Sequence, residues 1–311
     1  MTVGERPDGE VQLAEVATRF DIRDLAPRDL SFLRARQAAE PDAVPTFLPS
    51  WNSCCRGEGA GIGLARGWAV IIAGATGAGK TLLALNLTHA ALKAGERVLY
   101  ITLEMSWEQL VTRLRAIATG VDVRRVEWGD EFSDTDARQA DAALLDLPGH
   151  LYFNRLPIWK LEDVSELMRL YATERGVRFF IVDYLQLVSP GGSERIYEGV
   201  TKVSQQLRYA AQSLNAVCVS VSQFNRATSA NRSERPVVQG LLGGSSIEND
   251  ASQVLLLDHT RRKRDDYRRT ERGYLLLGKN RHGPQGELRV EYDYRTLRVR
   301  EALPDEEAEW P

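Results

Sequence analysis

Gly74-Ala75-Thr76-Gly77-Ala78-Gly79-Lys80-Thr81 decides the fold of this chain. The stretch follows an apolar run, Trp68 to Ala73, and precedes a helical pattern from Leu82 to about Lys93. The order is strand, glycine loop, helix. Glycines let the backbone curl so that successive N–H groups point at one anion, and the helix N-terminus adds its positive end. Lys80 is placed to reach the β- and γ-phosphates, and the Thr81 hydroxyl suits magnesium. All eight residues, Gly74, Ala75, Thr76, Gly77, Ala78, Gly79, Lys80 and Thr81, are expected to hold a nucleoside triphosphate. A glycine-rich turn matching by chance is the bland alternative, and the flanking strand and helix argue against it.

Outward from that loop, apolar runs and helical patterns alternate. Strands are expected at Arg97 to Leu103, Leu151 to Asn154, Val177 to Val182, Ala216 to Ser222 and Gln253 to Leu257. Helices are expected from Ser106 to Thr119, Ser133 to Leu145, Glu162 to Glu174 and Tyr197 to Leu214. Ser106 and Gln109 have capping-box spacing, and Gly176 suits a helix stop. Gly273 to Lys279, Glu287 to Tyr292 and Leu297 to Arg300 follow as antiparallel strands. The expected fold is α/β, a mainly parallel sheet with helices on both faces and antiparallel strands at the C-terminus. Residues 46–67 read as an irregular, Gly-rich approach to the first strand. Three regions follow: an N-terminal helical or linker segment at 1–45, the main domain at 46–300, and an acidic tail at 301–311.

Composition sets bounds. The 311 residues carry 40 Lys and Arg against 43 Asp and Glu, a net charge of −3, so the whole chain advertises no polyanion partner. A local basic patch would still suffice for nucleic acid. The densest run, Arg261 to Arg264 with Arg268 and Arg269, reads as a solvated hairpin or a phosphate-contacting loop. No apolar run approaches a membrane span, and Met1 to Glu10 lacks a signal-like core, so a cytoplasmic chain is expected. Cys54, Cys55 and Cys218 lack zinc-ligand spacing and read as free thiols.

In an open parallel sheet, ligands bind beyond the carboxyl ends of the strands. Three polar residues stand there beside the glycine loop. Asp183 closes a buried run and is placed to hold magnesium through water and to orient Thr81. Glu104 is placed to orient or deprotonate an attacking water, with helix capping as the alternative. Gln223 is placed to touch a γ-phosphate, with an ordinary loop glutamine as the alternative.

These residues resemble a family. Leu103-Glu104-Met105-Ser106, Asp183 to Leu187, Ser222 to Arg226, Ser246 to Ala251 and Gly278-Lys279-Asn280-Arg281-His282-Gly283-Pro284 look like motifs of DnaB-type replicative helicases, in the family's order. The resemblance covers roughly residues 46–300, the RecA-like motor. It implies a homo-hexameric ring using ATP and Mg2+, single-stranded DNA as a partner, and a loader or other protein partner. Lys279 and Arg281 match residues that reach a neighbour's nucleotide, Arg281 as the arginine finger; from position alone both would read as surface charges. The family's primase-binding helical domain has no match in residues 1–45, which suggests a phage, plasmid or accessory helicase. Residues 10–40 are expected to be a linker helix laid on the adjacent subunit.

One departure bears on DNA. Where DnaB proteins carry an arginine ahead of Ser-Ile-Glu, this chain has Leu242. Gly243, Gly244 and Ser245 still offer backbone N–H groups for a phosphate, and Arg195 is the cation of the preceding channel loop. The leading reading is a DnaB-like ring motor that translocates on single-stranded DNA or unwinds duplex. The alternative is a RecA-fold ring ATPase that remodels a protein partner without unwinding. A small-molecule kinase leaves Glu104, Gln223, Lys279 and Arg281 unexplained.

Overall fold

The computed structural model describes residues 42–55, 63–129, 133–154, 160–183, 196–224, 236–241, 248–258 and 270–302. An apolar strand buried on both faces needs cover above and below. Six parallel strands are covered in that way: β3 (Ala69–Gly74), β4 (Arg97–Thr102), β5 (His150–Phe153), β6 (Phe179–Asp183), β7 (Val217–Gln223) and β8 (Gln253–Asp258). Three antiparallel strands extend the sheet past β8: β9 (Thr270–Asn280), β10 (Gly286–Asp293) and β11 (Arg298–Glu301). The strand order is β11-β10-β9-β8-β3-β7-β6-β4-β5. Ahead of it, β1 (Ala43–Val44) and β2 (Leu64–Ala65) form a small antiparallel ribbon.

The helices are α1 (Pro49–Cys54), α2 (Lys80–Lys93), α3 (Trp107–Thr119), α4 (Val123–Trp128), α5 (Asp134–Leu145), α6 (Leu161–Glu174) and α7 (Ile196–Ser213). The two-residue alternation of β3 shows how the layers divide. Val70 and Ile72 face a core with α1, α2 and α3, including the fully buried Trp51, Leu83 and Leu87. Ile71 and Ala73 face a second core with α6 and α7, through Val164, Met168, Val203 and Leu207. The expected mixed sheet is the one observed, with helices on both faces.

Two elements depart from the expected layout. Residues 46–67 are less irregular than their glycines suggest, because they contain α1 and β2. Helix α1 is only 6 residues long and buries Trp51 alone, too short a span for periodicity to register. Helix α4 also escapes periodicity at 6 residues, yet its brackets are visible: Asp122 caps it by accepting from the Arg124 N–H, and Gly129 ends it at φ 71°.

The C-terminal strands are bolted to the motor core by backbone bonds. Asn86 on α2 donates to Leu297 O at 2.9 Å and accepts from the Val299 N–H at 3.0 Å. Arg298 donates to Ile117 O and Ala118 O, satisfying free carbonyls at the end of α3. Both contacts bring Tyr294 and Leu297 to the edge of the site described next. Among the described residues no helix is long and apolar enough to cross a membrane.

Candidate nucleotide site at the strand tips

Parallel pairing sets the first feature of the site. Gly74 is level with Gln223, and Thr102 is level with Asp183. The carboxyl ends of β3, β7, β6 and β4 therefore open side by side. A pocket of about 660 Å³ lies there, lined by Thr76, Gly77, Gly79, Lys80, Thr81, Glu104, Asp183 and Gln223 among others. That volume is ordinary for a small-molecule site. The loop leaves β3 and enters α2 through Gly79, which caps the helix at φ 93°, a left-handed conformation that a side chain would resist.

Lys80 is buried, with its ammonium donating to Gly74 O at 3.1 Å and Ala75 O at 2.9 Å. Burial pushes its pKa down to about 8, while Asp183 and Glu104 pull it back up. Asp183 is buried as well, and burial raises its pKa. Two hydroxyls oppose that shift: Tyr100 donates to Asp183 Oδ2 at 2.8 Å, and Thr81 also bonds the carboxylate. Tyr100 is fully buried on β4, its own pKa driven far up by burial and by Asp183. No sequence motif marks Tyr100. The signal available is a lone phenol in an apolar strand, two positions short of the strand tip.

Glu104 is exposed at the mouth, close enough to Lys80 and Asp183 to act on both electrostatically. It does not cap α3. Ser106 does, in a reciprocal capping box with Gln109. The far wall is built from residues that no motif marks either: Arg113 from α3, and Val123, Arg124, Glu127 and Trp128 from α4. Trp128 is 68% exposed.

Thr81 and Asp183 present hard oxygen donors already hydrogen-bonded to each other, the set Mg2+ prefers when phosphates and waters complete its shell. Among the described residues no group of three or more His, Cys, Asp or Glu side chains could hold a metal by itself. These residues therefore fit a magnesium ion that arrives with its nucleotide.

Lys279 and Arg281 are not brought to this pocket. The Arg281 N–H bonds Ser252 O, and the Ser252 N–H bonds Ala69 O at the start of β3. The phosphate loop leaves that strand five residues later, at Gly74, roughly 16 Å along it. Lys279 donates to Glu248 O, and Arg281 donates to Asn249 O and Ala251 O. A β-bulge sets which side they face. Leu277 pairs with Leu255 but Lys279 pairs with Val254, so Gly278 is the extra residue. Lys279 thus shares a face with Val254, on the α7 side, instead of following Leu275 and Leu277 into the opposite core.

The sheet topology, the strand-tip site and the separate hairpin cations agree with what comparison shows. The family model of the DnaB-like helicase C-terminal domain matches residues 59–301. The chain belongs to this family. The probable plasmid replicative DNA helicase of Chlamydia trachomatis is 30% identical over 293 residues, covering 90% of this chain and 63% of that protein. The replicative DNA helicase DnaB of Geobacillus stearothermophilus is 27% identical over 239 residues, covering 74% of this chain and 51% of its own length. The chain thus spans between half and two thirds of these DnaB-like relatives. Among solved structures, a helicase-type ATPase domain superposes with a TM-score of 0.73 at 19% identity, covering 90% of this chain and 99% of that one. A DnaB-like replicative helicase solved with its primase interactions gives a TM-score of 0.73 at 20% identity, covering 91% of this chain and 67% of that one. At such identities the likeness is one of fold, and it confirms the RecA-like DnaB architecture.

The expected DNA-contacting residues Arg195, Gly243, Gly244 and Ser245 lie outside the described residues, as do Leu242, the Arg261–Arg269 run and the segments 1–41 and 303–311. The three cysteines are free. Burial pushes Cys55 up to about 11 and Cys218 up to about 12, which suits unreactive thiols.

Proposed function

We propose that this chain is the ATP-hydrolysing motor of a DnaB-like hexameric ring that translocates on single-stranded DNA. The observation that carries the reading is the division of the site residues. Lys80, Thr81, Glu104, Asp183 and Gln223 meet at one end of the sheet, and Lys279 and Arg281 stand at the other. Hydrolysis of a phosphoanhydride spreads charge over the γ-phosphoryl oxygens, and cations aimed at that charge are the main source of rate. A hairpin about 16 Å from its own phosphate loop serves that purpose only for a neighbour.

In this reading Lys80 releases the Gly74 and Ala75 carbonyls and neutralises the β- and γ-phosphates. Mg2+, when bound by Thr81 and through water by Asp183, withdraws charge from the phosphate oxygens. Glu104 orients the attacking water and accepts its proton while Gln223 touches the γ-phosphoryl group and relays its loss. The neighbour's Arg281 and Lys279 complete the charge. The pocket wall from α3 and α4 leaves room for the nucleoside.

DNA stimulation decides between this reading and a ring that remodels a protein partner, which Leu242 favours by removing a phosphate-binding cation. At low salt, single-stranded DNA is expected to raise the ATPase rate several-fold, with stimulation fading as salt rises. No stimulation at any salt concentration would exclude the DNA motor.

A further inference from the structure

A cation that acts on a neighbouring subunit needs a backbone that stays still. Asn280 lies between Lys279 and Arg281, and its amide is fully engaged. Its Nδ2 donates to Cys54 O at 2.7 Å and to Pro284 O at 2.9 Å. Its Oδ1 accepts from Gln253 Nε2 at 3.1 Å and from the His282 N–H at 3.2 Å. Gln253 is completely buried, and its Oε1 accepts from Trp51 Nε1 at 2.9 Å. Trp51 is completely buried too. The chain of bonds therefore joins α1, β8, β9 and the β9–β10 turn.

Two further contacts close the turn on α1. The His282 ring stacks on Trp68, centroids 4.4 Å apart and 10° from parallel. At Gly283 an added Cβ would collide with Cys54 O, so the turn lies against α1 with no room for a side chain.

An amide at position 253 is a costly choice for mere packing. The strand otherwise reads Val254-Leu255-Leu256-Leu257, and an apolar residue there would need no partners. A buried amide is tolerated when every group is satisfied, and it then fixes one geometry where apolar contact would allow several. The side chains of Lys279 and Arg281 rest on carbonyls of residues 248–251 and have to leave them to reach another subunit; their backbone does not.

We propose that Asn280, braced by Gln253, Trp51 and the Cys54 carbonyl, is a positioning residue that sets the Lys279–Arg281 arm for the nucleotide of the adjacent subunit. This rests on the shared-site reading above. Catalytic groups lose much of their effect when misplaced by about 1 Å.

The test is steady-state ATP hydrolysis by the assembled full chain, comparing Asn280→Ala and Asn280→Asp in two backgrounds. Asn280→Asp is nearly isosteric: it keeps the acceptor for Gln253 and loses the donors to Cys54 and Pro284. In the wild-type background each is expected to lower kcat at least tenfold with KM for ATP within twofold. In a Lys279→Ala/Arg281→Ala background each is expected to change the residual kcat less than twofold, because the group being positioned is gone. A wild-type kcat in the Asn280 variants, or an equal fold-loss in both backgrounds, overturns the inference. Should Asn280→Ala fail to assemble, Asn280→Asp alone decides by the same criteria. A Lys279→Ala/Arg281→Ala protein with wild-type kcat instead overturns the shared site itself, and the inference with it.

Discussion

At the scale of single residues, the site is a buried charge balance built around Lys80, Asp183 and Tyr100. Lys80 titrates near 8 because burial opposes its charge more than Asp183 and Glu104 restore it. The charged form is the one that binds triphosphate, and bound phosphates raise its pKa. Nucleotide affinity is therefore expected to be level below pH 8 and to fall by up to about tenfold per unit above it. Titration of a fluorescent ATP analogue across that pH checks this; unchanged affinity at high pH would remove Lys80 from the phosphate contact. Lys80→Ala should abolish measurable turnover. Tyr100→Phe removes a donor from a buried carboxylate, and a hydrogen bond to a charged group is worth roughly 1.5–3 kcal/mol. The Mg2+ concentration giving half-maximal hydrolysis should rise about tenfold, more steeply at low pH. Lys80, Thr81, Glu104, Asp183 and Gln223 were legible because each stands at a strand tip or in a spaced loop. Tyr100 was not, because its role depends on which strand lies beside β6, a pairing of residues 83 apart.

Elements carry the next level. Asn86 fastens α2, the helix that starts at Lys80, to the turn before β11. Asn86→Ala leaves a buried Val299 N–H without its acceptor and should cost about 2–3 kcal/mol in urea unfolding. A loss below about 0.5 kcal/mol would show the C-terminal strands to be held without it. Long elements with clear periods, such as α2, α3 and α7, could be read from sequence almost to their ends. The short ones could not: α1 and α4 have too few residues to show a period, and the bulge at Gly278 leaves no mark in a run that alternates well on either side. Those three features place the hairpin and the far wall of the pocket. The least legible parts of the chain thus carry much of the geometry of the proposed shared site.

For the whole molecule, the decisive fact is that the strand-tip residues and the Lys279–Arg281 arm stand at opposite ends of one sheet. A single chain then holds two halves of different sites. In a ring, each interface would join the pocket of one subunit to the arm of the next. Family motifs made Lys279 and Arg281 candidates, and the sheet register explains why they serve no site within their own chain. The account's central claim is tested most directly by mixing two inactive proteins. Lys80→Ala subunits keep the arm and lose the pocket; Arg281→Ala subunits keep the pocket and lose the arm. Co-assembled at equal amounts, they should recover a substantial fraction of wild-type ATP hydrolysis, at interfaces where an intact pocket meets an intact arm. Mixed rings, confirmed by pull-down of differently tagged subunits, that hydrolyse no faster than either variant alone would contradict it.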